Sequence, residues 1–110
     1  MANTRYESCK NACNECADEC EICVTACLQG DAKMMAKCIQ ICRDCVDACS
    51  ICARLLARDS DLVKQACEFC AAVCDECAKE CDKHASHMDE CKKCAQACRM
   101  CASECRKIAK

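Results

Sequence analysis

The sequence predicts an all-α protein, an antiparallel up-down-up-down four-helix bundle with a cysteine-lined core. The first observation is spacing: the 21 cysteines of this 110-residue chain fall into four groups, and within each group the steps alternate strictly between three and four residues. That spacing is the seam of a heptad repeat and places the cysteines on one face of a helix, whereas on a strand it would scatter them over both faces. The second observation is composition: the chain has no proline and one glycine, which disfavours loop-rich folds.

We expect helices at about residues 5–28, 32–57, 61–83 and 87–108, each carrying one group of cysteines. In chain order, the groups are Cys9, Cys13, Cys16, Cys20, Cys23 and Cys27; Cys38, Cys42, Cys45, Cys49 and Cys52; Cys67, Cys70, Cys74, Cys77 and Cys81; and Cys91, Cys94, Cys98, Cys101 and Cys105. Connections of a few residues make successive helices antiparallel neighbours. The length fits one domain, residues 1–110.

The ends of the first two helices carry recognisable signals. Thr4 and Glu7 match a capping box at the start of the first helix. Gly30 lies where a glycine commonly ends a helix, and Asp31 can cap the second helix.

The last two helices are separated by polar residues. The run Asp59, Ser60 and Asp61 breaks the chain between the second and third helices, and Ser86 followed by Asp89 starts the fourth.

Cysteine must form much of the interior. Val, Ile, Leu and Phe are too scarce for an ordinary core, although the hydrophobic residues as a whole, cysteine included, make up 54% of the chain. A free thiol behaves as a small hydrophobic side chain and can fill that space. The net charge of −2 separates the chain from highly charged disordered sequences.

The seams extended beyond the cysteines predict two different ends for the bundle. One end is closed by apolar side chains: Tyr6, Leu56, Val63 and Ile108, with Leu55 and Leu62 beside them. The opposite end carries both histidines of the chain and several methionines. The next seam positions there are Gly30, Met35, His84 and His87, and Met34 and Met88 lie close by. We predict His84, His87 and Met35 as metal ligands at this second end, leave Met34 and Met88 open, and assign Met100 to packing.

A second apolar repeat lies outside the seam. Ile39, Val46 and Ala53 recur every seven residues. They either flank the core or form a face that packs against another subunit, and the sequence does not decide between the two.

Several classes of protein are excluded or disfavoured. The chain lacks a run of about 18 apolar residues, so no membrane-spanning segment is expected. It has two aromatic residues of the Phe, Trp and Tyr class and no long basic block, so nucleic-acid binding is not expected. Its first residues contain no apolar stretch of a secretory signal, which predicts the cytoplasm. In that reducing compartment, a cysteine pattern favours metal binding over disulfides.

Metal binding explains the cysteine stripes best. A purely structural role is disfavoured because Leu, Ile and Ala would pack better and resist oxidation. Disulfides between residues three or four apart on a helix would be strained, since their Cβ atoms lie about 5–6 Å apart. Thiolates select Cu(I), zinc or iron–sulfur clusters, and the spacing matches neither the ferredoxin motifs nor paired zinc knuckles. Cu(I) accepts two or three thiolates, so both three- and four-residue steps can supply its ligands.

Charge balance sets the number of ions. Buried thiolates without counterions are prohibitively costly, so neutrality with a monovalent ion asks for one Cu(I) per thiolate, on the order of twenty per chain. Each ion must displace a thiol proton, so affinity should rise with pH.

The chain resembles the bacterial cytosolic copper storage proteins, four-helix bundles lined with cysteine. The resemblance rests on the repeated C-x3-C-x2-C pattern from Cys9 to Cys105. It implies storage of many Cu(I) ions on the cysteines named above, copper uptake at one end, and a homo-oligomer, a tetramer of bundles. A copper chaperone or a copper enzyme would exchange copper with such a store.

The alternative interpretation is a zinc or thiol redox buffer similar in role to a metallothionein. Metallothioneins depend on C-x-C pairs, which this chain lacks. An enzyme is not expected. The repeated spacing distinguishes no single cysteine as a nucleophile, and the sequence shows no distinct Cys–His–acid trio.

Overall fold

The computed structural model describes residues 5–110, so the predicted capping box of Thr4 lies outside the described residues. The described chain forms α1 (Glu7–Gln29), α2 (Ala36–Ala57), α3 (Val63–Asp82) and α4 (Asp89–Ala109). Helix α1 packs against α2 and α4, and α3 packs against the same two helices. This is the predicted antiparallel four-helix bundle, with extents of 46 × 24 × 18 Å. Among residues 5–110, no helix is both long and apolar enough to cross a membrane.

The α1–α2 connection is longer than the sequence predicts. Helix α2 begins at Ala36, because residues 31–35 form a turn ahead of it. Asp31 Oδ1 accepts a hydrogen bond from the Met34 backbone N–H at 3.1 Å, so Asp31 caps this turn and not α2 itself. Gly30 does end α1, and its N–H donates to the Cys27 carbonyl at 3.3 Å. Its φ of −104° is open to any residue.

The α2–α3 connection is a Schellman motif without glycine. Asp59 N–H donates to the Leu56 carbonyl at 3.2 Å and Ser60 N–H donates to the Leu55 carbonyl at 3.0 Å. Asp59 has a φ of 51°, the one positive φ of a non-glycine residue in the described chain. The polar run 59–61 thus separates the two helices as predicted, and Asp59 takes the left-handed position that usually belongs to glycine.

One end of the bundle is closed by apolar side chains. Leu56 and Val63 are buried, and Tyr6 and Ile108 are half-buried against the core. The prediction that Leu62 assists them is wrong, since 56% of this residue is exposed. Leu62 precedes the first turn of α3 and extends away from the seam that Val63 begins.

The repeat of Ile39, Val46 and Ala53 flanks the core. Ala53 is buried, while Ile39 and Val46 are half-buried and pack against the cysteines' cluster. The large exposed apolar side chains on α2 and α3 are instead Ile51 and Phe69, which line one surface groove.

Met100, which the sequence assigns to packing off the seam, lies at the surface. Met100 is 59% exposed and lines a shallow groove between α1 and α4. It directly precedes Cys101, and on a helix the neighbour of a seam residue is turned about 100° away from the core.

Candidate metal centre

The core of the bundle is a column of thiols. All 21 cysteines lie within residues 5–110, and all are free and buried. None of them is more than 1% exposed. This burial follows from the seam spacing, because each step of three or four residues returns the chain to the inward face of its helix.

The thiols form two antiparallel ladders. Between α1 and α4, five Sγ–Sγ rungs span 3.5–3.7 Å: Cys9–Cys105, Cys13–Cys101, Cys16–Cys98, Cys20–Cys94 and Cys23–Cys91. Between α2 and α3, five more span 3.7–3.9 Å: Cys38–Cys81, Cys42–Cys77, Cys45–Cys74, Cys49–Cys70 and Cys52–Cys67. Because alternating steps of three and four recur on every helix, antiparallel neighbours stay in register along the whole bundle.

The two ladders are in contact with each other. Cys16 Sγ lies 3.7 Å from Cys45 Sγ, and Cys49 Sγ lies 3.9 Å from Cys101 Sγ. Near the other end, Cys42 Sγ lies 4.0 Å from Cys94 Sγ. An ion bound to one ladder therefore has third and fourth sulfur ligands within reach on the other.

Groups of four thiols are already clustered at ligand-like distances. In each group the four sulfurs lie within 4.8 Å of one another. Five of these groups are Cys13, Cys52, Cys70 and Cys105; Cys16, Cys20, Cys45 and Cys98; Cys16, Cys49, Cys74 and Cys101; Cys20, Cys77, Cys94 and Cys98; and Cys23, Cys42, Cys81 and Cys94. Sulfurs about 2.3 Å from a shared ion are about 3.8 Å apart in a tetrahedron.

Neighbouring groups share cysteines. Cys16, Cys20, Cys94 and Cys98 each belong to two of these groups. Isolated tetrahedral sites would each need four thiols of their own. Shared thiols instead match bridging sulfurs, so the column is suited to connected clusters of ions.

Disulfides do not account for the column. The sulfur atoms of the rungs are at least 3.5 Å apart, well beyond a bonded S–S distance of about 2.05 Å. The rungs are separate thiols in van der Waals and weak hydrogen-bond contact.

Thiol–thiol hydrogen bonds set the acidity of the interior. A hydrogen bond with Cys20 lowers the pKa of Cys94 most strongly, and one with Cys16 lowers that of Cys45. The pKa of Cys20 is raised in turn, first by its hydrogen bond with Cys16. A thiolate inside the column is therefore stabilised by S–H donors on neighbouring helices.

Burial dominates at the end that carries the histidines. Desolvation is the largest cause that raises the pKa of Cys27, and it raises the pKa of Cys91 to about 12. These two thiols are protonated at neutral pH, so a metal ion must displace a proton to bind them.

The three methionines near this end, which we call the open end, occupy different environments. Met35 is 1% exposed and belongs to the core, whereas Met34 is 58% exposed. Met88 is half-buried, and its Sδ lies 3.9 Å from Cys91 Sγ, which donates to it. Met88 therefore joins the thiol column directly, and Met34 does not.

The two histidines lie side by side in the α3–α4 connection. Their rings meet edge to face with centroids 5.8 Å apart. The His84 side chain is 14% exposed, while His87 is exposed to solvent. The pair thus spans the distance from solvent to the interior at the open end.

A residue that the sequence analysis missed completes this end. Glu80 on α3 is 8% exposed, the one buried charged residue among those the structure describes. Its carboxylate lies 3.2 Å from His84 Nε2 and 3.1 Å from Lys83 Nζ. The signal was present as a glutamate near the end of a predicted helix and a histidine four residues later, a spacing that brings side chains together where the helical turn continues.

A family model described as copper storage protein matches residues 2–110, almost the entire chain. The chain belongs to the copper storage protein family. The Cu(I)-bound copper storage protein BsCsp3 is 37% identical, with a TM-score of 0.90 over 96% of this chain and 100% of that chain. Apo copper storage protein 3 from Bacillus subtilis is 38% identical, with a TM-score of 0.86 over 94% of this chain and 98% of that chain.

A member of the family from Streptomyces lividans is described as cytosolic. That structure concerns copper loading and carries five coppers; it is 33% identical, with a TM-score of 0.91 over 94% of this chain and 91% of that chain. No curated protein sequence matches the chain significantly. Structures with the fold seen here thus include an apo form, a form with five coppers and a Cu(I)-bound form.

Proposed function

We propose that this protein stores Cu(I) in the cytoplasm, binding about one ion per cysteine, on the order of twenty per chain, through thiolates inside the bundle. The observation that carries the proposal is the continuous column of 21 buried thiols. It is a storage protein and not an enzyme, because the column repeats one ligand type instead of building one distinct reactive group.

Monovalent copper fits the column for electrostatic reasons. The column has no buried cation of its own among the described residues, so each buried thiolate needs an ion to balance it. One Cu(I) per thiolate gives a neutral interior. The Sγ atoms of neighbouring cysteines are 3.5–4.0 Å apart, and several cysteines belong to two groups. These soft donors can therefore provide two or three ligands per ion without large movements of the side chains.

The bundle folds before it is loaded. Protonated thiols are neutral and hydrophobic, and they pack the core without any ion. The apo relative from Bacillus subtilis, which has the same fold, supports this order of events. Copper then replaces thiol protons in a preformed interior.

Copper enters at the open end. His84, His87 and the methionines meet Cu(I) first and pass it to the nearest cysteines: Cys27, Cys38, Cys81 and Cys91. Cys27 is the single cysteine outside the ten rungs described above, and it lies at this end of α1. Further exchange between thiolates moves the ion along the ladders without a change of oxidation state.

The protein assembles as a homo-oligomer, a tetramer of bundles. The surface that supports this proposal is the groove between α2 and α3 around Ile51 and Phe69, which are 53% and 61% exposed. Large exposed apolar side chains clustered on one face favour contact with another subunit. A copper chaperone or a copper enzyme would deliver or receive the ions.

An anaerobic Cu(I) titration of the reduced protein against a chromophoric chelator tests the storage proposal. We expect a plateau near twenty ions per chain. A plateau of one to four ions would overturn bulk storage and indicate a copper chaperone. Parallel titration with zinc distinguishes a zinc buffer, since preferential tight binding of zinc would contradict the proposal.

A further inference from the structure

Glu80 is a buried carboxylate that the thiol column does not explain. It lies at the open end of α3, one helical turn before His84, and only 8% of it is exposed. Removing a carboxylate from water is energetically costly unless partners compensate. The other buried residues in the second half of α3 are cysteines and alanines, so an ionised side chain here calls for a specific reason.

Both carboxylate oxygens of Glu80 have partners. Oε2 faces His84 Nε2 at 3.2 Å, and Oε1 accepts a hydrogen bond from Lys83 Nζ at 3.1 Å. Lys37, on the neighbouring helix α2, lines the same surface groove. The ammonium group of Lys83 and the ring N–H of His84 therefore compensate for the burial of an ionised carboxylate.

An ionised carboxylate fixes the tautomer of its histidine partner. A carboxylate only accepts hydrogen bonds, so Nε2 of His84 must be the protonated, donating nitrogen. In a neutral imidazole the lone pair then lies on Nδ1. Carboxylates that hold metal-binding histidines in this way orient the ring and make the free nitrogen a better donor.

We propose that Glu80 is a positioning residue for copper transfer: it holds His84 as the Nε2-protonated tautomer, so that Nδ1 is the atom offered to incoming Cu(I). This inference rests on the proposed function and adds the atom through which one ligand of the open end acts. Glu80 itself does not bind the ion. Its two oxygens stay engaged with His84 and Lys83 while copper passes to the thiols.

The first test measures the tautomer directly in the apo protein. With ¹⁵N-labelled histidine at pH 8, NMR distinguishes the protonated from the unprotonated ring nitrogen of His84, and the exposed His87 serves as an internal reference. We expect the Nε2-protonated fraction of His84 to exceed that of the exposed His87 in the wild-type protein, and this excess to disappear in Glu80→Ala. A wild-type His84 protonated at Nδ1 would overturn the proposal.

The second test is a double-mutant cycle on copper uptake. We expect Glu80→Ala to slow the first phase of Cu(I) uptake about 10-fold, the lower range for loss of a partner of a metal-binding histidine. In a His84→Ala background, the same change should have no further effect. Equal slowing in both backgrounds would show that Glu80 acts without His84, contrary to the proposal.

The matched control is Glu76→Ala, one turn earlier on the same helix. Glu76 is exposed and pairs with Lys79 at 3.6 Å, so it reproduces the loss of a glutamate and an ion pair without touching His84. Uptake slowed equally by Glu76→Ala would mean that general surface charge, not the histidine, is responsible.

Capacity separates this proposal from the storage proposal. If the wild-type protein binds only a few ions, storage itself fails, whatever Glu80 does. If capacity is near twenty and unchanged in Glu80→Ala but uptake by that variant is as fast as in wild type, storage stands and the positioning role fails. Glu80→Gln preserves the shape of the side chain and keeps the test valid should Glu80→Ala fold poorly.

Discussion

At the scale of single residues, the two histidines and the thiols make different contributions to copper handling. His84 and His87 lie at the open end, outside the ladders, with ring centroids 5.8 Å apart. Replacing both with alanine should slow Cu(I) uptake and release and leave capacity nearly unchanged, because the 21 thiols remain. Stopped-flow uptake and equilibrium titration measure the two quantities separately.

A matched control for the histidines uses the opposite end of the bundle. Arg58 and Leu62 are exposed residues near the closed end, so replacing both with alanine should change neither rate nor capacity. If the histidine double variant instead lost half of its capacity, the histidines would be major storage ligands and not a gate.

Cysteines in the middle of the ladders should determine capacity. Cys45 and Cys74 form one rung at 3.8 Å, and Cys45 also lies 3.7 Å from Cys16 on the other ladder. Replacing Cys45 and Cys74 with serine should remove about two of the roughly twenty bound ions, since neutrality requires one ion per thiolate. The anaerobic titration measures the loss.

Buried alanines supply the control for introducing hydroxyl groups. Ala48 and Ala78 are 3% and 4% exposed and lie on the same two helices as Cys45 and Cys74. The pair of changes to serine at these positions should leave capacity intact. Equal capacity in the cysteine double variant and wild type would contradict one-to-one binding.

At the scale of helices, the strained turn between α2 and α3 offers a stability test. Asp59 has a φ of 51° at the position where a Schellman motif usually has glycine. Asp59→Gly should raise the free energy of unfolding by about 1 kcal/mol, because glycine has no Cβ to clash there. Its ion pair with Arg5 spans 3.9 Å between exposed side chains, so losing it costs little.

The neighbouring residue provides the opposite expectation. Arg58 ends α2 with a φ of −98°, a conformation in which glycine brings only added flexibility. Arg58→Gly should therefore lower the melting temperature while Asp59→Gly raises it, as measured by circular dichroism on the apo protein. A lower melting temperature for Asp59→Gly would show that Asp59 stabilises the turn by other means.

The helices were predictable because every step of three or four residues is marked by cysteine. The ends of the helices were less predictable. The Asp31 side chain accepts a hydrogen bond within a turn, so α2 begins only at Ala36. Residues next to the seam were the least predictable, because small rotations decide their burial. Glu80 is buried and the equally seam-adjacent Met100 is exposed, and only tertiary packing distinguishes them.

At the scale of the whole molecule, the register of the helices explains why storage can be continuous. The same alternation of steps on all four helices keeps each ladder in register over its five rungs, and the two ladders are in contact at several levels. The sequence therefore specified the column, but the sharing of cysteines between groups of four depends on the packing of the helices.

The pH dependence of stability is the last prediction and depends on the thiols at the open end of the bundle. Burial raises the pKa of Cys91 from 9.0 to about 12 and also raises that of Cys27. Between about pH 9 and 12, Cys91 loses its proton in the unfolded chain and keeps it in the folded protein, so at this thiol the unfolded state binds fewer protons and its contribution to the free energy of unfolding falls as pH rises. The contribution of these two thiols to the melting temperature of the reduced apo protein should accordingly be constant below pH 8 and decline above pH 9. In the Cu(I)-loaded protein the thiols are already deprotonated, so its melting temperature should be higher and lack this decline. Cys91→Ala should weaken the decline in the apo protein. A difference in melting temperature between wild type and Cys91→Ala that grows in favour of wild type between pH 9 and 12 would show that this thiol ionises more readily in the folded state than in the unfolded chain.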